Sequence, residues 1–180
     1  MSDPRPHVLI ACDERVHNSY LPTSEIERLE VFADWSWFAC EGGGIYAAQE
    51  DLQQAAAMAE RLEGADALVV CHGAPRLTAE LMDKAPRLRI VGELEGDRFA
   101  ARIDLDAAWQ RGIRAVDTTN GSSYPVSEWA LALILISLKQ AGAHFRRIIG
   151  GDTARDSALV AKMGGVLKGK RVGLIGCGHM

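Results

Sequence analysis

Short apolar runs alternate with amphipathic stretches along most of the chain. Residues 8–12, 37–40, 67–71, 88–92 and 114–117 are mostly unbroken apolar segments, the pattern of parallel strands covered on both faces. Between them the period lengthens. Ser24-Glu25-Ile26-Glu27 reads as a capping box that starts a helix, with Ile26, Leu29 and Phe32 or Ala33 at helical spacing. Residues 50–62 place Leu52, Ala55, Ala56, Ala59 and Leu62 on one stripe that Gly64 ends. A short helix over 78–85 is stopped by Pro86, because the residue before a proline disfavours helix. Another over 105–110 ends by Gly112.

This alternation predicts an α/β fold, a flavodoxin-like doubly wound parallel sheet with strand order 2-1-3-4-5 as the natural arrangement. From Pro125 the pattern changes. Pro125 suits the first turn of a helix, and Glu128 faces the positive end of its dipole. Residues 129–136 are apolar all round, so this helix is expected to be buried on every side, between two layers, domains or subunits. It should run to about 149, where Gly150-Gly151 stop it. Residues 152–168 read as a loose connection, and 170–175 as the first strand of a second domain. The expected organisation is a domain over 1–120, an interdomain helix over 121–150, and the start of a truncated Rossmann domain over 151–180.

Composition narrows the classes. The 180 residues carry 48% apolar and 24% charged residues with a net charge of −4. Nothing there favours nucleic acid or an anionic membrane as a partner. Met1 to Pro6 lack a signal-peptide core, and the 129–136 run is too short to span a bilayer. The chain therefore reads as cytoplasmic. Cys12, Cys40, Cys71 and Cys177 form no C-x-x-C pair and have no histidine at metal spacing, so they read as reduced, partly buried thiols. Cys71 and His72 are neighbours on an expected strand and should point to opposite faces, a poor joint ligand pair.

The motif with the clearest chemistry is the last. Val172, Leu174 and Ile175 lead into Gly176-Cys177-Gly178, the spacing of the first two glycines of G-x-G-x-x-G. Such a turn brings a dinucleotide pyrophosphate against the free N–H groups of a helix N-terminus, the second glycine letting the backbone approach without a Cβ. The third glycine would fall at position 181. The segment Leu167 to Met180 resembles the start of the NAD domain of D-isomer-specific 2-hydroxyacid dehydrogenases. Ala85-Pro86-Arg87-Leu88-Arg89-Ile90-Val91, Ile103-Asp104-Leu105-Asp106-Ala107-Ala108 with Arg111-Gly112-Ile113, and Pro125-Val126-Ser127-Glu128 resemble further stretches of that family. The matches keep family order over about residues 65–180, whereas the first 60 share only the general pattern.

The resemblance implies an N-terminal fragment of an NAD- or NADP-dependent oxidoreductase acting on a small 2-hydroxy or 2-oxo acid, a homodimer when full length. It implies a substrate carboxylate held by backbone N–H groups of the loop after the fourth strand, here Leu94, Glu95 and Gly96, with Gly96 the best placed. It implies cofactor contacts from Gly176, Gly178, His179 and Met180. The family's catalytic Arg, Glu and His would all lie beyond Met180, so no catalytic residue is assigned, and the fragment is expected to be inactive, with its long apolar helix exposed and prone to association. Glu93 and Glu95 depart from the small residues usual in that loop and read as solvent-facing acids, and Arg98 to Ala101 read as an insertion. His72 follows a strand end, where ligands gather in open α/β sheets, but reads first as a loop histidine. His144 reads as packed or solvated on its helix. Two alternatives remain. One is a stand-alone flavodoxin-like receiver or interaction module, suggested by Cys12-Asp13-Glu14 after the first strand. The other is a different two-domain NAD enzyme of the adenosylhomocysteinase or alanine dehydrogenase type.

Overall fold

Five parallel strands form one sheet in the order β2-β1-β3-β4-β5: β1 His7–Cys12, β2 Asp34–Ala39, β3 Ala67–Val70, β4 Ile90–Glu93 and β5 Arg114–Asp117. This is the doubly wound, flavodoxin-like order expected from the alternation of elements. The computed structural model describes residues 5–42, 44, 48, 51–96, 102–118, 120–152 and 165–176. The chain divides into two units, Met1–Thr119 and Asn120–Met180.

Successive residues of β1 face opposite layers. Leu9 and Ala11 join Leu68, Val70 and Val91 in a core closed by α3 (Leu52–Leu62), α4 (Ala79–Asp83) and α5 (Leu105–Gln110). Val8, Ile10 and Cys12 join a smaller core under α1 (Glu14–Tyr20) and α2 (Thr23–Glu30), with Val16, Ile26 and Leu29. Helices on both faces explain the unbroken apolar strands.

Helix α2 starts at Thr23 with Pro22 in the cap position and no side-chain cap bond. The expected Ser24 capping box does not form, because Ser24 already has helical backbone and a cap must be extended. Helix α1 has no stripe to betray it. Only Val16 is buried, and the helix is held by the Asp13 carboxylate, which accepts from the Val16 N–H at 2.7 Å. Helix α3 starts from Asp51, whose carboxylate accepts from the Gln53 N–H at 2.7 Å.

In the second unit, the helix expected to run unbroken to 149 is two: α6 (Ser123–Leu138) and α7 (Ala141–Ile149), bent by 69°. The break falls where polar Lys139-Gln140 interrupts the apolar run and Gln140 takes a left-handed φ of 50°, a conformation that cannot continue a right-handed helix. Nor is α6 buried on all sides. Trp129 is 63% exposed and Leu131 51%, the exposure that the family resemblance implies for this stretch taken alone. Among the described residues, no single helix is long and apolar enough to cross a membrane. Residues 171–174 are irregular, and Val172, Leu174 and Ile175 are exposed. A strand exists only through its neighbours, and no strand pairs with this segment among the described residues. Residues 152 and 165–168 are likewise outside any helix or strand.

Candidate functional site

All five strands end at one edge of the sheet, and β1 and β3 form its topological switch point, since the chain leaves them in opposite directions. Loops there open outward, and this is where ligands bind in open α/β sheets. The loops bring together Asp13 after β1, Cys40 after β2, Cys71-His72-Gly73 after β3 and Leu94-Glu95-Gly96 after β4.

Backbone bonds fix the site's frame. The Cys71 N–H donates to the Ala11 carbonyl at 3.1 Å, the Asp13 N–H to the His72 carbonyl at 2.8 Å, and the Leu94 N–H to the Val70 carbonyl at 3.1 Å. The chain turns away at Gly73, φ +82°, where an added Cβ would lie 3.1 Å from Cys40 Cβ and 3.3 Å from Asp13 Cβ. Gly73→Ala therefore meets both a left-handed backbone and rigid neighbours. It should cost about 2 kcal/mol or more, read as a lower urea midpoint in equilibrium unfolding.

His72 and Glu95 face each other. His72 Nε2 lies 2.8 Å from Glu95 Oε1, and the Tyr20 hydroxyl donates to the same oxygen at 3.2 Å. Both side chains are largely enclosed, at 7% and 20% exposure. Tyr20 also meets the His72 ring edge-on at 6.0 Å. Burial, then the Glu95 carboxylate, pushes the Tyr20 phenol above its ordinary value. The expectation of solvent-facing acids fails for Glu95, which is held by two partners.

It fails more completely for Glu93. That side chain is buried as the last residue of β4, and its Oε1 lies 3.4 Å from Arg102 Nη1. The Arg102 guanidinium also donates to the Gly44 carbonyl, tying the loop after β2 to the sheet. The Glu95 N–H donates to Glu93 Oε1 at 3.3 Å. Burial pushes the Glu93 carboxyl up to about 7, although Arg102 pulls the other way. Glu93 is thus paired with Arg102, and Glu95 is hydrogen-bonded to His72. Nothing in the local sequence pairs Glu93 with Arg102, because they meet only across the loop that separates them.

The loop expected to bind a carboxylate is partly committed. The Leu94 N–H belongs to the β3 ladder, the Leu94 carbonyl accepts from the Thr118 hydroxyl at 2.6 Å, and the Glu95 N–H is taken by Glu93. The Gly96 N–H has no partner among the described residues.

Cys71 and His72 do come together, contrary to the expectation of opposite faces. Strand β3 ends at Val70, so both residues sit in the turn rather than on the pleat. Their ligand atoms and one from Glu95 lie within 4.8 Å of one another. Cys12, Cys40 and Cys71 are free and buried. Burial pushes their thiols up to about 11, 12 and 12, which makes them poor nucleophiles.

The other candidates are dispersed. His7 bonds Ser36 at 2.9 Å and His17 stacks on Trp37 at 4.0 Å, both in structural roles. His144 lies half-buried on α7. Asp13 serves as a helix cap, and the position after β3 that a receiver would give to an acid holds Cys71 and His72. Gly176 has φ +92°, a backbone conformation that favours glycine, with open space where a Cβ would point. Gly178, His179, Met180 and Cys177 lie outside the described residues, as do Asp97 and the stretch from Arg98 to Ala101.

Residues 35–163 match the family described as D-isomer specific 2-hydroxyacid dehydrogenase, catalytic domain. D-3-phosphoglycerate dehydrogenase of Homo sapiens is 27% identical over 140 residues, covering 78% of this chain and 25% of that protein. A phosphoglycerate oxidoreductase from Rhizobium etli superposes with a TM-score of 0.65 at 19% identity, over 91% of this chain and 45% of that one. NAD-dependent formate dehydrogenase from Staphylococcus aureus, solved in complex with NAD, does so with a TM-score of 0.54 at 22% identity, over 88% and 44%. The structural likenesses carry the fold, and the chain spans about a quarter of the length of the curated relatives it matches.

Proposed function

This chain belongs to the D-isomer specific 2-hydroxyacid dehydrogenase family, and from that premise we propose that it is the N-terminal part of an oxidoreductase interconverting small 2-hydroxy and 2-oxo acids. The family match over residues 35–163 carries the reading. NAD or NADP is the hydride carrier, and when bound it supplies or accepts the hydride. The homologous dehydrogenases, one of them solved with NAD, support this choice.

In this reading residues 1–120 are the substrate domain, 121–150 link it to its partner domain, and 151–180 begin the cofactor domain. The protein works in the cytoplasm as a homodimer. The catalytic Arg, Glu and His of the family have no counterpart assigned in this chain, so these 180 residues alone should not turn over.

The residues of this chain bind and orient. Leu94, Glu95 and Gly96 form the substrate loop at the carboxyl edge of the sheet. The Gly96 N–H is the donor left for a substrate carboxylate, since the Leu94 and Glu95 N–H groups are already used. Arg102 offsets Glu93, and His72 holds Glu95, which lowers the repulsion an anion would meet there. Gly176, Gly178, His179 and Met180 line the cofactor. The left-handed Gly176 supports that assignment.

Gly176→Val tests it. In the protein translated from the whole reading frame, the branched side chain should weaken NADH binding at least about tenfold, read by nicotinamide fluorescence, with circular dichroism used to check that the strained turn leaves the rest of the protein folded. Unchanged affinity would remove the glycine turn from the cofactor site.

A further inference from the structure

We propose that Cys71, His72 and Glu95 form a binding site for a borderline-soft divalent cation, Zn2+ foremost. This goes beyond the dehydrogenase reading and does not depend on it. Three observations carry it. The three side chains offer a sulfur, an imidazole nitrogen and a carboxylate oxygen, all within 4.8 Å of one another. The ligands come from the ends of two adjacent strands, β3 and β4, whose backbones are pinned by the Cys71-to-Ala11, Asp13-to-His72 and Leu94-to-Val70 hydrogen bonds. The site is enclosed, with Cys71 fully buried and His72 and Glu95 largely so.

The donor set selects the ion. Mg2+ and Ca2+ take oxygen ligands, whereas a thiolate with an imidazole suits Zn2+ and its neighbours. Three protein ligands leave the fourth tetrahedral position to water or an anionic oxygen. Zinc–nitrogen and zinc–oxygen bonds of about 2.0–2.2 Å hold the two ligand atoms about 3.4 Å apart. The present 2.8 Å hydrogen bond from His72 Nε2 to Glu95 Oε1 therefore opens by roughly half an ångström as the ion enters. Tyr20, donating to Glu95 Oε1, becomes the outer hydrogen bond that orients the carboxylate.

Binding breaks the Cys71 S–H bond and forms a sulfur–metal bond, with the proton released to solvent.

The test is titration of the metal-stripped 180-residue chain with Co2+, followed by absorbance. One Co2+ per chain should bind, with a thiolate-to-cobalt charge-transfer band and the strong visible absorption of tetrahedral cobalt, both bleached by Zn2+. Cys71→Ser should abolish the charge-transfer band, and Glu95→Gln and His72→Gln should each weaken binding at least about tenfold. Circular dichroism selects the variants that fold, and any one of the three suffices for the comparison. Absence of a thiolate band in the unchanged chain at saturating Co2+ overturns the proposal. So does binding of equal strength in a folded variant, which would place the ion elsewhere.

Discussion

Arg102→Met should destabilise the first unit by about 3–5 kcal/mol at pH 8, and by clearly less at pH 5, in urea unfolding. Arg102 is completely buried against Glu93, which is itself buried. Removing one member of a buried pair leaves the other charge without compensation, which costs more than the intact pair contributes. The pH dependence follows from Glu93. Its carboxyl is pushed up to about 7 in the folded chain, against an ordinary 4.5, so the folded state holds the proton more tightly than the unfolded one. The stability this group contributes is fully present below pH 4.5 and is lost as the pH rises through about 7. Without Arg102 the carboxylate is still harder to charge, and the loss between pH 5 and 8 steepens. Glu93→Gln should flatten it, because the amide does not titrate. Replacing both residues with Glu93→Leu and Arg102→Met should recover much of the loss, since apolar groups need no partner. Equal destabilisation by Arg102→Met at pH 5 and pH 8 would mean that Glu93 does not carry the effect.

Leu131→Arg with Leu135→Arg should turn an associating chain into a monomer of 19.5 kDa. Helix α6 is apolar on every face, and Trp129, Leu131, Leu133, Leu135 and Ile136 are all at least 40% exposed. Phe145, Ile148 and Ile149 add to the exposed apolar surface on α7. Patches of that kind drive association, and each large side chain covered contributes up to about 1.5–3 kcal/mol. Two arginines per copy place desolvated charge in any such contact. Light scattering coupled to size exclusion reads the outcome: a larger mass for the unchanged chain and a single-chain mass for the variant. A monomeric unchanged chain at high concentration would show that the apolar surface is covered within one molecule.

The central strands β1 and β3 were legible because they are covered on both faces and read as apolar runs, whereas the edge strand β2, expected over 37–40, runs Asp34–Ala39 with no buried residue. Arg114–Asp117 and Leu105–Gln110 were placed to the residue. Helix α3 was legible from its period, but the expected stripe is only partly the buried one: Leu52 is 84% exposed and Ala56 is exposed, whereas Met58 is buried with Ala59 and Leu62. Helix α1 was not, since it buries only Val16 and depends on the Asp13 cap. Ser24 misled because a capping box describes side chains, whereas the start of α2 is set where the extended Pro22 gives way to helical backbone. The break at Gln140 turns on one left-handed residue, which no hydropathy pattern records. The positions after β3 and β4, with Leu94 to Gly96 among them, were legible from topology, and the role expected for Leu94 to Gly96 rests on the family resemblance. The pairings were not. Glu93 finds Arg102, and Glu95 finds His72 and Tyr20, through tertiary contacts between distant segments. Seen alone, these acids look like an exposed loop, and Cys71-His72 look like strand neighbours facing apart.

The role proposed for this chain is in a nicotinamide-dependent oxidoreductase of 2-hydroxy acids. It is tested most directly by following the absorbance of NADH and NADPH with a panel of phosphorylated and unphosphorylated 2-oxo acids. The protein used should be the one translated from the full reading frame that contains this sequence. Oxidation of one reduced nucleotide that depends on a 2-oxo acid, and is absent without it, is the predicted result. A folded protein that oxidises neither nucleotide with any member of the panel would contradict the account.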